Sequence, residues 1–339
     1  FTKIAVGFFT SILFFDLIIQ QYNFDLKKLF KVYMNACYII AIIGIVQLIS
    51  FHLGIRPLYN FHWILNKWGL SQGGLGIRVN SIFSEPSYVA ASIAPAMFVS
   101  LYNLTSKKQY FISSRKSIAI LILYFISFSS LGIFGFFIAI IFLFVKRGFI
   151  TSALLAGPVL ILIFTLAYNT IGEFKDRVDG TFEMFSTQNI YSYDIHGSSF
   201  VLYNNYHVAK TNFLENPLFG SGLGSQGHAF EKHSLTNQIG AVNIESNSAD
   251  ANSLFLRLLS ETGIFGLGFF LIFLFKHYLP AKRAMSEEYW LISVGCLIII
   301  ILHLVRQGHY FYNGFPFFIW LYYYASKISK EKLNLANEK

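Results

Sequence analysis

The feature that most constrains this chain is where its charges are not. Long apolar stretches follow one another, and the few charged residues fall between them. A helix needs about 20 apolar residues to cross the ~30 Å hydrocarbon core of a bilayer. Stretches of this kind lie at about 4–20, 32–54, 86–104, 111–128, 130–145, 149–168, 254–275, 289–305 and 315–326. They predict an all-α fold, a polytopic transmembrane helical bundle occupying 1–339 as a single membrane-embedded domain. Composition agrees: 13% of residues are charged, against roughly 25% in soluble domains. With 38 Phe and 20 Tyr the chain lacks the polar groups to cover a surface in water.

The formal net charge of +9 does not indicate nucleic acid, because the basic residues form short clusters between apolar runs and not one continuous face. Cys37 and Cys296 both sit inside apolar runs, so buried thiols are expected, with no disulfide and no CxxC metal site. No set of His, Asp and Glu has the spacing of a dedicated metal site, and neither a metal nor another cofactor is expected. No cleavable signal peptide is visible. The sequence begins at Phe1, and upstream residues are expected to be missing.

The basic clusters also orient the spans, since short cytoplasmic segments are enriched in Lys and Arg. Sixteen of the 26 basic residues fall on one side: Lys27, Lys28 and Lys31; Lys107, Lys108, Arg115 and Lys116; Lys146 and Arg147; Lys276, Lys282 and Arg283; and Lys327, Lys330, Lys332 and Lys339. That side is read as cytoplasmic and includes the tail 327–339. The segment 55–85, the large loop 169–253 and the short loop 306–314 are then external. This depends on splitting the apolar run 117–145, which would otherwise form one tilted helix. The small residues Ser129, Ser130 and Gly132 mark the break. The loop 169–253 is predicted to be partly helical, with an amphipathic helix from about Ser198 to Leu214.

Ionisable residues near or within a bilayer are costly and are functional candidates by default. Asp16 falls late in the first span and reads equally as an interfacial carboxylate. Ser253, Arg257 and Glu261 recur every four residues and share one helix face. Arg257 and Glu261 read either as a packing pair or as substrate ligands. His303, Arg306 and Tyr310 form a second stripe, facing the bundle or a cavity. Arg78 and Glu85 precede the third span, where Glu85 and Pro86 also suit a plain helix start. Arg78, Glu85, Arg257, Glu261, His303 and Arg306 are all predicted at the external membrane face. Guanidinium forks at that depth suit a diphosphate headgroup.

Three stretches sharpen this picture: Arg78-Val79-Asn80-Ser81-Ile82-Phe83-Ser84-Glu85-Pro86-Ser87, then Asn216-Pro217-Leu218-Phe219-Gly220-Ser221-Gly222-Leu223-Gly224-Ser225, then Asn252 to Gly266. The second follows the predicted helix with His207 and Lys210, and lacks the Lys-Ser/Thr ending of a P-loop. In order and spacing they resemble the O-antigen polymerase and O-antigen ligase superfamily, most closely the repeat-unit polymerases.

The resemblance implies a glycosyltransferase of the bacterial inner membrane whose active site faces the periplasm. Its donor and acceptor would be glycans on undecaprenyl diphosphate, with membrane lipid and a chain-length regulator protein as further partners. Glu85, Asp250 and His309 are the candidates for the base, in that order. Arg78, Arg257 and Arg306 are the candidates for the diphosphate. Asn252, Tyr310 and Lys210 complete the substrate-binding set. Ligase-like members carry His-Asn before the seventh span, where this chain reads Asn252-Ser253, and Asn cannot accept a proton. The external helix reads Ser199-Phe200-Val201 where many relatives carry Arg. Both departures favour polymerase over ligase. His228 and His233 do not match the ligase position. A non-catalytic flippase of lipid-linked sugars is the alternative from another class, and it predicts basic residues through the membrane depth, where this chain has almost none.

Overall fold

The computed structural model describes residues 2–65, 67, 69–73, 75–146, 149–170, 172–187, 197–237 and 247–337. Arg147, Lys339 and the stretches 188–196 and 238–246 of the long loop lie outside the described residues. The fold is almost entirely helical. In chain order it comprises α1 (Thr2–Gln21), α2 (Leu26–His52), α3 (Arg56–Tyr59), a two-stranded antiparallel hairpin β1 (Gln72–Gly73) and β2 (Gly76–Ile77), α4 (Pro86–Ser106), α5 (Ser114–Ile126), α6 (Ser130–Val145), α7 (Phe149–Thr170), α8 (Gly172–Thr187), α9 (Gly197–Glu215), α10 (Gln226–His233), α11 (Leu254–Lys276), α12 (Glu287–Arg306) and α13 (Phe315–Asn337).

Each of the nine apolar stretches coincides with a helix. Five helices, α1, α2, α4, α11 and α12, are long and apolar enough by length and composition to cross a membrane. Helices α7 and α8 satisfy the same test only as a pair bent by 100°. α5 and α6 have 13 and 16 residues, about 20 and 24 Å at ~1.5 Å per residue, less than a full crossing of a straight helix. The run 117–145 is interrupted at 127–129, and the Ser129 side chain accepts from Gly132 N to start α6.

The chain divides into two compact units. One comprises Phe1–Ile12, Ile161–Lys276 and His303–Tyr312; the other comprises Leu13–Leu160, His277–Leu302 and Asn313–Lys339. Within the second, α4 packs against α5 and α6, and α2 against α5. From Val89 to Val99 every residue of α4 is buried, and most of α12 is buried too. A helix apolar all round is stable only when covered all round. Pro95 falls inside α4 and supplies no N–H. The Tyr33 hydroxyl enters the ladder there, donating to Ser92 O at 2.8 Å and accepting from Ala96 N at 3.3 Å. Away from water such backbone groups must find protein partners. Cys37 and Cys296 are buried and unpaired, and Asp16 accepts from Tyr324 and Gln20.

Within the first unit, α9 packs against α8, α10 and α11. The helix predicted near Ser198–Leu214 is therefore present, but three neighbours share its surface, and it does not have the single dry face expected. Helix α11 breaks at Gly263, whose φ of 62° and ψ of −164° are not helical. The glycine-rich motif meets the backbone groups freed by this break. Ser221 N and Gly222 N donate to Ser260 O and Glu261 O, while Ile264 N and Phe265 N donate to Pro217 O and Leu218 O. A Cβ on Gly263 would lie 2.4 Å from Leu218 O, so only glycine permits this approach. The second and third motifs thus form one structural device: a broken helix and the loop that satisfies it.

Candidate functional site

The site is built on the turn before α11 and the loop after α12. The turn holds Asn247, Ala251 and Asn252 at positive φ (62°, 56° and 55°). Asp250 stabilises it by accepting from Asn252 N at 3.0 Å. Ser253 Oγ then accepts from Leu256 N in the first turn of α11 and donates to Leu304 O at 2.6 Å. Helix α12 ends at Arg306. The expected helical stripe His303, Arg306, Tyr310 is therefore cut short, and Tyr310 lies on the loop beyond it.

In that loop Gly308 lies directly on the turn. A Cβ there would stand 1.5 Å from Asp250 O. This close approach brings His309 Nε2 to 3.0 Å from Asp250 Oδ2. The imidazole stacks on Tyr312 at 3.6 Å between centroids and 19° between planes. Asp250 is buried, whereas the His309 side chain is 23% exposed. Burial pushes the Asp250 carboxyl up, but His309, the Asn252 amide and the Asn247 side chain together outweigh it and hold the group below the usual carboxylate range. With Nε2 facing Asp250, Nδ1 is the nitrogen left to accept a proton. Asn252 is buried, and its Nδ2 has no hydrogen-bond partner among the described residues.

A second polar cluster lies on α11. The Glu261 side chain is fully buried and accepts four hydrogen bonds: Arg257 Nε at 3.0 Å, Tyr310 OH at 2.7 Å, Gly224 N at 2.9 Å and Gln226 N at 3.3 Å. Arg257 Nη1 donates to Gly308 O at 3.0 Å, and its guanidinium lies 4.3 Å over the Tyr310 ring. These bonds use two of the five guanidinium N–H groups. Burial and Glu261 both raise the Tyr310 hydroxyl's pKa, keeping it protonated as a donor. The Arg257–Glu261 pair therefore grips both neighbours of His309, Gly308 through its carbonyl and Tyr310 through its hydroxyl. It is the packing pair that the four-residue spacing allowed, and it also positions the imidazole.

The remaining candidates are placed as follows. Arg306 is half-buried at the end of α12, in the same unit as the Asp250–His309 pair. Lys210 is exposed on α9, 5.9 Å from the Tyr206 ring. His228 approaches Glu231 at the surface of that unit, while the largely buried His233 side chain approaches Glu215. Arg78 and Glu85 belong to the other unit. Glu85 is the N-cap of α4 without a side-chain capping bond, and its carboxylate accepts from Ser87 Oγ at 2.8 Å.

Two contributors were not singled out from sequence. Gly308 carries a signal, a glycine immediately after a helix end, where a close backbone approach is common. Lys67 carries none. It is buried and donates to Asn80 Oδ1 at 2.8 Å and Ser81 O at 2.6 Å, inside the first motif. Burial lowers its pKa to about 8. Among the described residues no three His, Cys, Asp or Glu side chains are placed to hold a metal. Compared with family models, curated proteins and solved structures, the chain matches none.

Proposed function

We propose that this chain is an O-antigen or capsular polysaccharide polymerase, a multi-pass inner-membrane glycosyltransferase that joins undecaprenyl-diphosphate-linked repeat units at the periplasmic face. The observation that carries the proposal is the Asp250–His309 pair beside the unpartnered amide of Asn252. In the proposed reaction an acceptor hydroxyl attacks the donor's anomeric carbon. The new glycosidic C–O bond forms as the bond to diphosphate breaks, and the lipid diphosphate leaves with the electron pair. His309 Nδ1 takes the hydroxyl proton, and Asp250 holds the ring in the tautomer that leaves Nδ1 open. Such base catalysis contributes typically ~10²–10⁴-fold. Asn252 donates to a sugar oxygen. Arg306, in the same unit as the Asp250–His309 pair, is the proposed diphosphate ligand, each charge-assisted bond giving roughly 1.5–3 kcal/mol. Arg257 contributes its remaining N–H groups and holds the His309 loop. Glu85 is the alternative base.

The test is chemical. Purified protein in liposomes, given undecaprenyl-diphosphate-linked repeat units and no nucleotide sugar, is expected to produce a ladder of longer lipid-linked chains. Transfer of single units to a different acceptor would make it a ligase, and translocation without a new glycosidic bond would make it a flippase. Orientation is tested by cysteine labelling in intact spheroplasts. Glu231→Cys, in the long loop and exposed, should react with an impermeant reagent, while Lys282→Cys should not; the reverse pattern rejects a periplasmic site.

A further inference from the structure

A second site lies far along the chain from the Asp250 turn, where α2 and α5 begin. A cavity of about 650 Å³ opens between their N-termini. Lys27, Lys28 and Lys31 line it from the first turns of α2, and Ser113 lines it from the start of α5. The electrostatics there are unbalanced. A helix N-terminus carries partial positive charge and favours acidic residues nearby. Neither helix has an acidic residue in its first turn, and both have cations. The Ser113 side chain makes no capping bond, and the first amides of α5 have no side-chain cap among the described residues. Two carboxylates also line the cavity, and both are engaged. Asp25 caps α2 through Lys28 N at 3.0 Å, and Glu288 pairs with Lys27 at 3.1 Å. Lys28 and Lys31 have no carboxylate partner among the described residues. The N-terminus of α5, without a side-chain cap, and the ammonium groups of Lys31 and Lys28, the latter also 5.5 Å from the Tyr22 ring, thus line one open space.

The surface running away from the cavity has a different chemistry. Val32, Ile39, Ile42, Val46 and Ile49 are all exposed on α2. Their spacing places them on the same face as Lys28. A ligand that fills both features has an anionic phosphate at one end and apolar chains at the other. We propose that this cavity binds the headgroup of an anionic glycerophospholipid, with the phosphate on Lys28, Lys31 and the α5 amides and the acyl chains along the α2 stripe. Tyr110 and Phe111, which also line the cavity, would meet the glycerol region. Basic pockets at helix ends recognise anionic headgroups in this way. The proposal rests on the helices crossing a bilayer and is independent of the polymerase assignment.

The test is lipid retention in native mass spectrometry. The detergent-purified protein is mixed with equal amounts of phosphatidylglycerol and phosphatidylcholine. Wild type is expected to retain the anionic lipid with roughly 10-fold preference or more, and Lys28→Gln/Lys31→Gln should retain both equally. Lys28→Arg/Lys31→Arg should keep the preference, as should Lys282→Gln/Arg283→Gln away from the cavity. Both altered side chains are exposed, so the variants are expected to unfold at the wild-type temperature. Should the double variant not fold, Lys31→Glu alone must abolish the preference. Unchanged preference in the Gln variant overturns the site. Equal stabilisation by inorganic phosphate without lipid overturns a lipid as the ligand. Protein that stays soluble without detergent overturns the bilayer assignment instead, which keeps the two failures apart.

Discussion

Two polar clusters share one unit, and they differ in how completely their groups are satisfied. Glu261 is sealed from solvent and accepts four hydrogen bonds, with Arg257 and Tyr310 packed around it. Asp250 accepts from His309 and from Asn252 N, the imidazole is part exposed, and the amide of Asn252 has no partner among the described residues. A closed network serves packing and position, because the Glu261 carboxylate already accepts from four donors. An open one has capacity left for a substrate. The contrast assigns Arg257 and Glu261 to holding the loop, and Asp250, His309 and Asn252 to chemistry.

The largest effect should come from opening the closed cluster. Glu261→Leu strands the Arg257 charge and three other donors, and removing one partner of a buried pair costs about 3–5 kcal/mol. Little folded protein is expected in the membrane, measured by detergent extraction and protease resistance. Arg257→Leu/Glu261→Leu removes both charges and should recover part of the protein level, the three neutral donors remaining without Glu261. It should still give shortened polymer, because Gly308 O and Tyr310 OH lose their anchors. Full-length polymer from the double variant would remove the positioning role.

Gly308→Ala comes next. Its Cβ cannot coexist with Asp250 O at 1.5 Å, so the loop must shift and the Asp250–His309 contact must open. Polymer should be lost while protein level falls only modestly. A smaller effect on stability is expected at Asn252. Gly tolerates its φ of 55°, and removing an unpartnered buried amide removes a group that costs stability. Asn252→Gly should therefore unfold no earlier than wild type, yet extend chains poorly; lower thermal stability would show that its amide has a structural partner.

The smallest effect is a pH dependence at Lys67. Its pKa is about 8 in the fold and 10.5 when exposed. Below about 8 both states are protonated. Between the two values the unfolded chain binds the extra proton, so stability rises with pH across that window. Thermal midpoints of wild type should gain on those of Lys67→Met between these limits; parallel curves would place Lys67 in water.

Much of this architecture was legible in the residues. Apolar length located nine helices but not α8, whose residues are polar, and Ser129 marked the break before α6, because small polar residues favour a turn where an apolar run would continue. Asn216–Ser225 and Asn252–Gly266 stood out as motifs. Their physical link did not, since a loop replacing the hydrogen bonds of a helix broken at Gly263 leaves no periodic trace. The spacing of Arg257 and Glu261 announced a pair. It did not show that Tyr310, 49 residues later, completes it. Asp250 and His309 were separate candidates for the base, and a contact across 59 positions of sequence is set by Gly308 and tertiary packing. Lys67 was invisible because a lysine in a polar segment ordinarily reads as solvated.

The central claim is that Asp250 and His309 act as one catalytic unit. Polymer length and protein level should be measured together for Asp250→Asn, His309→Gln and the double variant. Normal protein in the membrane, severely shortened polymer in each single variant and no further loss in the double are expected, because residues acting as a unit are non-additive. Full-length polymer from either single variant, or losses that multiply in the double, would contradict it.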